Sequence, residues 1–285
     1  MKNNLKKLFL SLAFLSTASY AILKVLKTDL TVRQLVFKHR LIPKNFDGFR
    51  IVHLSDFHNN SRLSKKSKLS ETVKGLSPDA VFMTGDMSDN INGDIFDAVE
   101  LCAEISEHAE IYYVLGNHES VLKNRKHYCK LLEKHGVTLL TNKTIKITRN
   151  REFISVAGII DPHFFRNSKE FICEEDVVSF LMGVVDRNPE SFEVLLSHRP
   201  EFFHIYCGNG FDLVFSGHAH GGQWNLPLIG PVYSPNQGLF PELTSGIYQR
   251  KSCSIVVSRG LGDSIFPIRI NNPYEIILLT LKSEG

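Results

Sequence analysis

Five short polar clusters, each directly behind a run of apolar residues, constrain this chain more than any other feature. They are Asp56-x-His58, Gly85-Asp86, Gly116-Asn117-His118-Glu119, Ser197-His198-Arg199 and Gly217-His218-Ala219-His220. The runs before them, 51–55, 80–84, 111–115, 194–196 and 213–215, are rich in Val, Ile, Leu and Phe. Runs of that length and composition read as strands buried on both faces. Gly85, Gly116 and Gly217 stand where a strand has to stop sharply and admit a ligand close to its backbone. An α/β sheet collects functional groups from distant segments in this way, on the loops at the carboxyl ends of its strands.

The clusters supply Asp56, Asp86, Asn117, His58, His198, His218 and His220 as candidate metal donors, with His118 to spare and no cysteine among them. In extended backbone, residues i and i+2 share a side. Asp56 with His58, and His218 with His220, are therefore each expected to aim two donors at one site. On a helix each pair would diverge by about 200°. A single such piece is an ordinary turn or a structural pair; five in succession point to a centre for two divalent ions. Imidazole with carboxylate suits Mn, Zn, Fe or Co and not Cu, and the sequence does not choose among the four. Two ions ~3.5–4 Å apart can share a hydroxide, polarise phosphoryl oxygens and stabilise in-line displacement. Two such cations, two carboxylates and one hydroxide leave about one positive charge, which favours a phosphodiester or pyrophosphate oxygen. Asn117, being neutral, preserves that surplus.

The order Asp56-x-His58, Gly85-Asp86-x-x-Asp89, Gly116-Asn117-His118-Glu119, His198, Gly217-His218-x-His220 resembles the calcineurin-like metallophosphoesterase superfamily, over roughly residues 30–285. The resemblance implies an α/β fold of two mixed β-sheets packed as a sandwich flanked by helices, a four-layer α/β/β/α arrangement. It implies that Asp56, His58 and His220 hold a first metal, that Asn117, His198 and His218 hold a second, and that Asp86 bridges them. His118 is then a catalytic residue that binds no metal and protonates the leaving oxygen, with Asp89 orienting its ring. Glu119 stands where many relatives carry Asp, and nothing about metal binding is expected to rest on it. Gly221-Gly222-Gln223-Trp224 and Ser258-Arg259-Gly260-Leu261-Gly262 are similar to a branch of bacterial membrane-associated phosphohydrolases, some of which cleave the pyrophosphate of UDP-2,3-diacylglucosamine.

Composition agrees with one enzyme domain over 29–285. The chain is 43% hydrophobic and 22% charged, enough for a substantial core, and it shows no repeat or low-complexity tract. Helical patterns at 65–76, 95–107, 123–135 and 174–187 alternate with the strands, as βαβ units do. Residues 31–38 and 274–281 read as outer or returning strands, and 153–157 and 254–257 as strands of a second sheet. The five cysteines, 102, 129, 173, 207 and 253, form no Cys-x-x-Cys pair and are expected as free thiols.

Residues 1–28 form a separate N-terminal segment. Lys2, Lys6 and Lys7 precede sixteen uncharged residues, 8–23, and Lys24 and Lys27 follow. An uncleaved membrane anchor fits this pattern, and so does a cleavable signal peptide ending at Ser19-Tyr20-Ala21. The lysine distribution places the catalytic domain outside the cytoplasm, membrane-associated in the first case and secreted in the second. Residues 1–66 carry 13 Lys and Arg against 3 Asp and Glu, and the remainder 20 against 27. A basic stretch beside a membrane segment favours anionic headgroups, whereas basic–aromatic interleaving for nucleic acid is lacking.

The expected function is hydrolysis of a phosphodiester or pyrophosphate on a membrane-associated substrate, lipid-linked or resembling a UDP-sugar lipid. A phosphoesterase for a soluble nucleotide or phosphomonoester is the alternative. A non-catalytic interaction scaffold would be expected to have lost donors or His118. Substrate-binding residues are not assigned: Arg62 and Arg199 are candidate phosphate clamps, and 161–166 is a candidate overhanging loop. His53 reads as a core residue. The apolar, proline-rich run after Trp224 fits either a substrate pocket or a loop packed on its own sheet.

Overall fold

In the strand Ala80–Met83 every residue is buried. Its alternate side chains enter two different cores, Val81 and Met83 one and Ala80 and Phe82 the other. A strand enclosed on both faces has no use for polar alternation, which is why the runs in the sequence are continuously apolar. The computed structural model describes residues 29–59, 66–89, 95–165, 174–184, 190–263 and 268–284. The segment 8–23, Arg62 and Cys173 lie outside the described residues.

In chain order the strands are β1 (Leu30–His39), β2 (Arg50–Leu54), β3 (Ala80–Met83), β4 (Glu110–Tyr113), β5 (Val137–Leu139), β6 (Lys143–Arg149), β7 (Glu152–Gly158), β8 (Glu193–Leu196) and β9 (Leu213–Ser216). Two ribbons follow, β10 (Asn225–Leu226) with β11 (Gly230–Pro231) and β12 (Tyr233–Ser234) with β13 (Gly238–Leu239). The last are β14 (Gly246–Arg250), β15 (Cys253–Val257) and β16 (Tyr274–Ser283). One six-stranded sheet runs β1-β16-β2-β3-β4-β5 and the other β14-β15-β9-β8-β7-β6. Both are mixed: β2 to β5 are parallel in the first, as are β15, β9, β8 and β7 in the second.

Between the sheets lies one core, containing Ile51, Phe82, Val114, Ile277 and Leu279 from the first and Ile154, Val194, Leu213, Phe215 and Val256 from the second. Helices Lys66–Gly75, Phe96–Ser106 and Arg125–Lys134 cover the outer face of the first sheet, and helices Glu174–Met182 and Phe203–Gly208 that of the second. The result is the expected α/β/β/α sandwich. The helix expected to extend to 187 closes at Met182, where Gly183 N–H turns back onto the Phe180 carbonyl. Cys102, Cys129, Cys207 and Cys253 are free thiols. Among the described residues no helix is long and apolar enough to cross a membrane.

Phe82 and Phe215 lock the two sheets together, edge to face at 5.2 Å between centroids and 87° between planes. Because Phe82 is fully buried, Phe82→Ala leaves an unfilled space in the inter-sheet core and should lower unfolding free energy by ~3–5 kcal/mol. Urea denaturation followed by circular dichroism measures it; a loss under ~1 kcal/mol would mean that the sheets are held elsewhere.

Candidate metal centre

The loops after β2, β3 and β4 of the first sheet and after β8 and β9 of the second meet at one edge of the sandwich. Backbone bonds tie them together: Asp56 N–H to Gly85 O at 3.0 Å, His58 N–H to Asp86 O at 3.1 Å, and Gly217 N–H to His198 O at 3.1 Å. His198 Nδ1–H crosses between the sheets to the Thr84 carbonyl at 2.6 Å. The glycines have steric reasons. A Cβ on Gly217 would collide with the side chains of Ser55 and Asp56, and one on Gly116 with the Asp86 carboxylate.

The donors fall into two groups. One atom each from Asp56, His58 and His220 lie within 4.8 Å of one another, and so do atoms from Asp86, His198 and His218; a third set, His58, Asp86 and His118, meets the same limit and joins the two. The expected geometry of the paired residues needs correcting. Asp56, His58, His218 and His220 have φ of 50°, 49°, 63° and 46°, so these residues turn in the left-handed region and are not extended. His218 and His220 consequently diverge, one to each group. Left-handed backbone costs a non-glycine residue free energy and collects at functional sites.

Several buried polar atoms at this edge lack a protein partner: both ring nitrogens of His58 and Oδ1 of Asn117. Buried groups of this kind are costly unless something satisfies them. Burial pushes the Asp56 carboxyl up to about 6, and the neighbouring Asp86 adds to the rise. Burial also lowers His58 to about 4 and His218 and His220 well below the usual imidazole range, so that all three are neutral. Neutral imidazoles, orphaned lone pairs and carboxylates crowded out of water fit divalent cations, which need deprotonated donors.

Asp86 is the most heavily used group. Its Oδ1 accepts the His118 backbone N–H at 2.8 Å, and its Oδ2 lies 3.1 Å from His198 Nε2 and 4.0 Å from His58 Nε2. Burial alone would raise its pKa, but His198 and His118 outweigh that and hold the carboxyl well below the ordinary range. His118, about one-third exposed, has Nδ1 3.3 Å from Asp89 Oδ1. Asn117, His118, Asp89, His163, Asn236 and Asp263 line a cleft of about 280 Å³ over the donors.

The structure assigns other residues differently from the sequence. Arg199, a candidate phosphate clamp, is buried: Nε donates to Asp161 Oδ2 at 2.6 Å, Nη2 to Asp161 Oδ1 at 3.3 Å and Nη1 to Glu201 Oε1 at 3.1 Å. Two carboxylates already engage its fork, so it braces the cleft wall. Asp161 belongs to that brace, His163 reaches the cleft, and Arg166 lies outside the described residues. His53 is a core residue on Thr84 Oγ1 at 2.8 Å, and burial lowers its pKa to about 3. Sequence reasoning missed Asn236, whose Oδ1 accepts from His218 Nε2 at 2.8 Å. Nothing local marks it.

It also undervalued Glu119. This fully buried carboxylate accepts the backbone N–H groups of Asp86 (2.9 Å), Met87 (2.7 Å), Ser88 (3.2 Å) and Gly116 (2.8 Å) and the hydroxyl of Tyr113 (2.6 Å). It staples the β3 loop to the β4 loop and so positions Asp86 and Asn117. The Ser258–Gly262 stretch has an equally physical role: Leu261 N–H donates to Ser55 O at 3.0 Å, and a Cβ on Gly260, which has φ 77°, would come within 2.8 Å of the Asp56 Cβ. Glu119→Ala would orphan several buried donors at about 1–3 kcal/mol each. The variant should be several degrees less thermostable and hold less metal after reconstitution. Wild-type metal content together with wild-type melting would contradict the staple.

Sequence comparison agrees with the geometry. The calcineurin-like phosphoesterase family model matches residues 49–222. The chain is 31% identical to the uncharacterized metallophosphoesterase YkuE of Bacillus subtilis, over 86% of this chain and 83% of that protein. It is 26% identical to phosphodiesterase YaeI of Escherichia coli, over 86% and 87%. With the putative metallophosphoesterase F40B5.2 of Caenorhabditis elegans it shares 27% identity over 89% of its own length, while spanning 52% of that protein. A donor cluster built for divalent cations and a match that spans all five clusters lead to one conclusion: the chain belongs to the calcineurin-like phosphoesterases, metal-dependent hydrolases of phosphoric esters.

Proposed function

We propose that the chain uses two divalent ions to hydrolyse a phosphodiester or pyrophosphate presented at a membrane. One observation carries the two-ion reading: Asp86 Oδ2 faces His198 and His58, members of different donor groups. Asp56, His58 and His220 would hold one ion, Asn117, His198 and His218 the other, and Asp86 would serve both. The ions supply a nucleophile at neutral pH and offset charge on the phosphoryl oxygens.

The protein's own contribution is to aim lone pairs and protons. The Thr84 carbonyl takes the His198 Nδ1 proton and Asn236 the Nε2 proton of His218, which turns His198 Nε2 and His218 Nδ1, 3.1 Å apart, toward one point; there an ion would take the place of the proton that His198 Nε2 shares with Asp86. The neutral amide of Asn117 keeps the net charge positive toward an anionic substrate. His118 stands beside the cleft, held by its backbone N–H on Asp86 and its ring on Asp89. Burial opposes its charge, but Asp86 and Asp89 outweigh it and raise the imidazole to about 9. At neutral pH His118 is therefore protonated and can donate, and with ions offsetting the Asp86 charge its pKa would fall toward the working pH, where a general acid is most efficient. The membrane part of the reading is supported by the lysine-flanked uncharged segment 8–23 and the basic residues after it.

A substrate panel with added Mn²⁺ tests the reading: bis-p-nitrophenyl phosphate, p-nitrophenyl phosphate, a nucleotide diphosphate sugar, and a lipid pyrophosphate in vesicles. Diester and lipid pyrophosphate should be turned over faster than the monoester. A clear preference for the monoester would transfer the chain to the phosphomonoesterases. Asp86→Asn should lower metal occupancy of both groups, whereas His58→Ala should mainly empty one, as elemental analysis after reconstitution will show. His118→Ala should keep its metal and lose roughly 10²–10⁴-fold in turnover, less for substrates with a good leaving group. Loss of metal in that variant would make His118 a ligand.

A further inference from the structure

We propose that the two ribbons beside the cleft are a membrane-docking face that seats their exposed apolar side chains in a lipid bilayer. This rests on the reading of the cleft as a phosphoesterase site working on membrane-presented substrate. Leu228 is fully exposed, and Ile229, Leu239, Phe240 and Ile268 are each more than half exposed. They belong to one hydrogen-bonded lattice: Trp224 Nε1–H donates to Ile268 O at 3.0 Å, Val232 N–H to Trp224 O at 3.0 Å, and Phe240 N–H to Val232 O at 2.9 Å. Across residues 223–245 the one charged side chain is Glu242. Clustered apolar exposure of this kind marks an interaction surface, unlike singly scattered residues.

Backbone conformation points the same way. Leu228 and Phe240 have φ of 68° and 53°, a region that bulky residues avoid and Asn or Gly tolerates. Large side chains kept there while facing water serve no internal packing. Their position relative to the chemistry is tight, because Asn236, between β12 and β13, bonds His218.

The occupant follows from where residues 1–28 join the fold. Leu30 pairs with Tyr274, whose hydroxyl donates to Asp263 Oδ1 at 2.9 Å, and Asp263 lines the cleft. The uncharged run 8–23 thus connects to the sandwich at the catalytic edge, and Lys24 is six residues before Leu30, a reach of at most ~22 Å. A bilayer gripping that run would face the ribbons as well. A neutral, apolar face suits the region below the headgroups, as in other interfacial anchors.

Trp224, the single tryptophan of the chain, sits on this face and reports on it. Full-length protein is bound to phosphatidylcholine vesicles in which part of the lipid carries bromine on its acyl chains. Wild-type Trp224 emission should shift to the blue and be quenched. The double variant L228N/F240N removes the apolar tips at positions that tolerate Asn, so its melting temperature should not fall. It should still sediment with vesicles through residues 8–23 yet lose the quenching. Unquenched emission from vesicle-bound wild type, or undiminished quenching in the variant, would overturn the proposal. So would a dimer in sedimentation velocity that L228N/F240N dissociates, since the face would then belong to a second copy. Hydrolysis of bis-p-nitrophenyl phosphate, unaffected by the variant, separates the two questions: its absence in wild type would sink the phosphodiester reading of the cleft and leave the quenching result standing.

Discussion

The carboxylate of Asp86 is the point on which the catalytic edge depends. It is buried, its two oxygens are contested by a backbone N–H and three imidazoles, and another carboxylate, Asp56, is buried nearby. Two like charges out of water are tolerable only if cationic charge lies between them. His198 supplies some of it in the protein alone, held by burial's opponents Asp86 and Asp56 at about 10. Divalent ions would supply it better, because they would also satisfy the lone pairs of His58 and Asn117. The requirement for metal is therefore a consequence of how this edge is packed.

Placing those groups takes more rigidity than loops ordinarily have. The apolar inter-sheet core fixes the strand ends, and glycines let neighbouring turns touch. Glu119 then gathers four backbone N–H groups and a tyrosine hydroxyl on one buried carboxylate. Left-handed backbone at Asp56, His58, Asp86, His218 and His220 is held in place by this network. A site that must keep charged donors a few ångströms apart before any ion arrives has to be strained and braced at once.

The surroundings of the cleft differ in kind. Arg199, Asp161 and Glu201 form a closed ionic brace in which two carboxylates engage one guanidinium. The ribbons after β9 carry neutral and apolar residues, and from them Pro235 and Asn236 reach the cleft.

Much was legible in the sequence because burial on both faces writes itself as unbroken apolar runs, and because metal chemistry demands a small set of residue types. The strands that carry the five clusters and their order could be read from those two facts, and four of the covering helices from their periodicity; β5, β6, β14 and the helix Phe203–Gly208 were not foreseen. The donor set could be named, but its geometry could not: His218 and His220 looked like partners and are parted by left-handed turns that composition does not encode. Glu119 looked incidental because its partners are backbone N–H groups, which every residue has. Arg199 looked like a phosphate clamp until Asp161, 38 residues earlier, engaged it. Asn236 carries no local signature, and the run after Trp224, though visibly apolar and proline-rich, did not reveal that its large side chains face water. The sequence by itself determined which groups are available and that strands would bring them to one edge. Residues 153–157 and 254–257 already read as strands of a second sheet, where they are found; only the tertiary structure decided which sheet the five cluster-bearing strands joined, and hence which donors face one another, because that choice depends on packing between segments far apart in the chain.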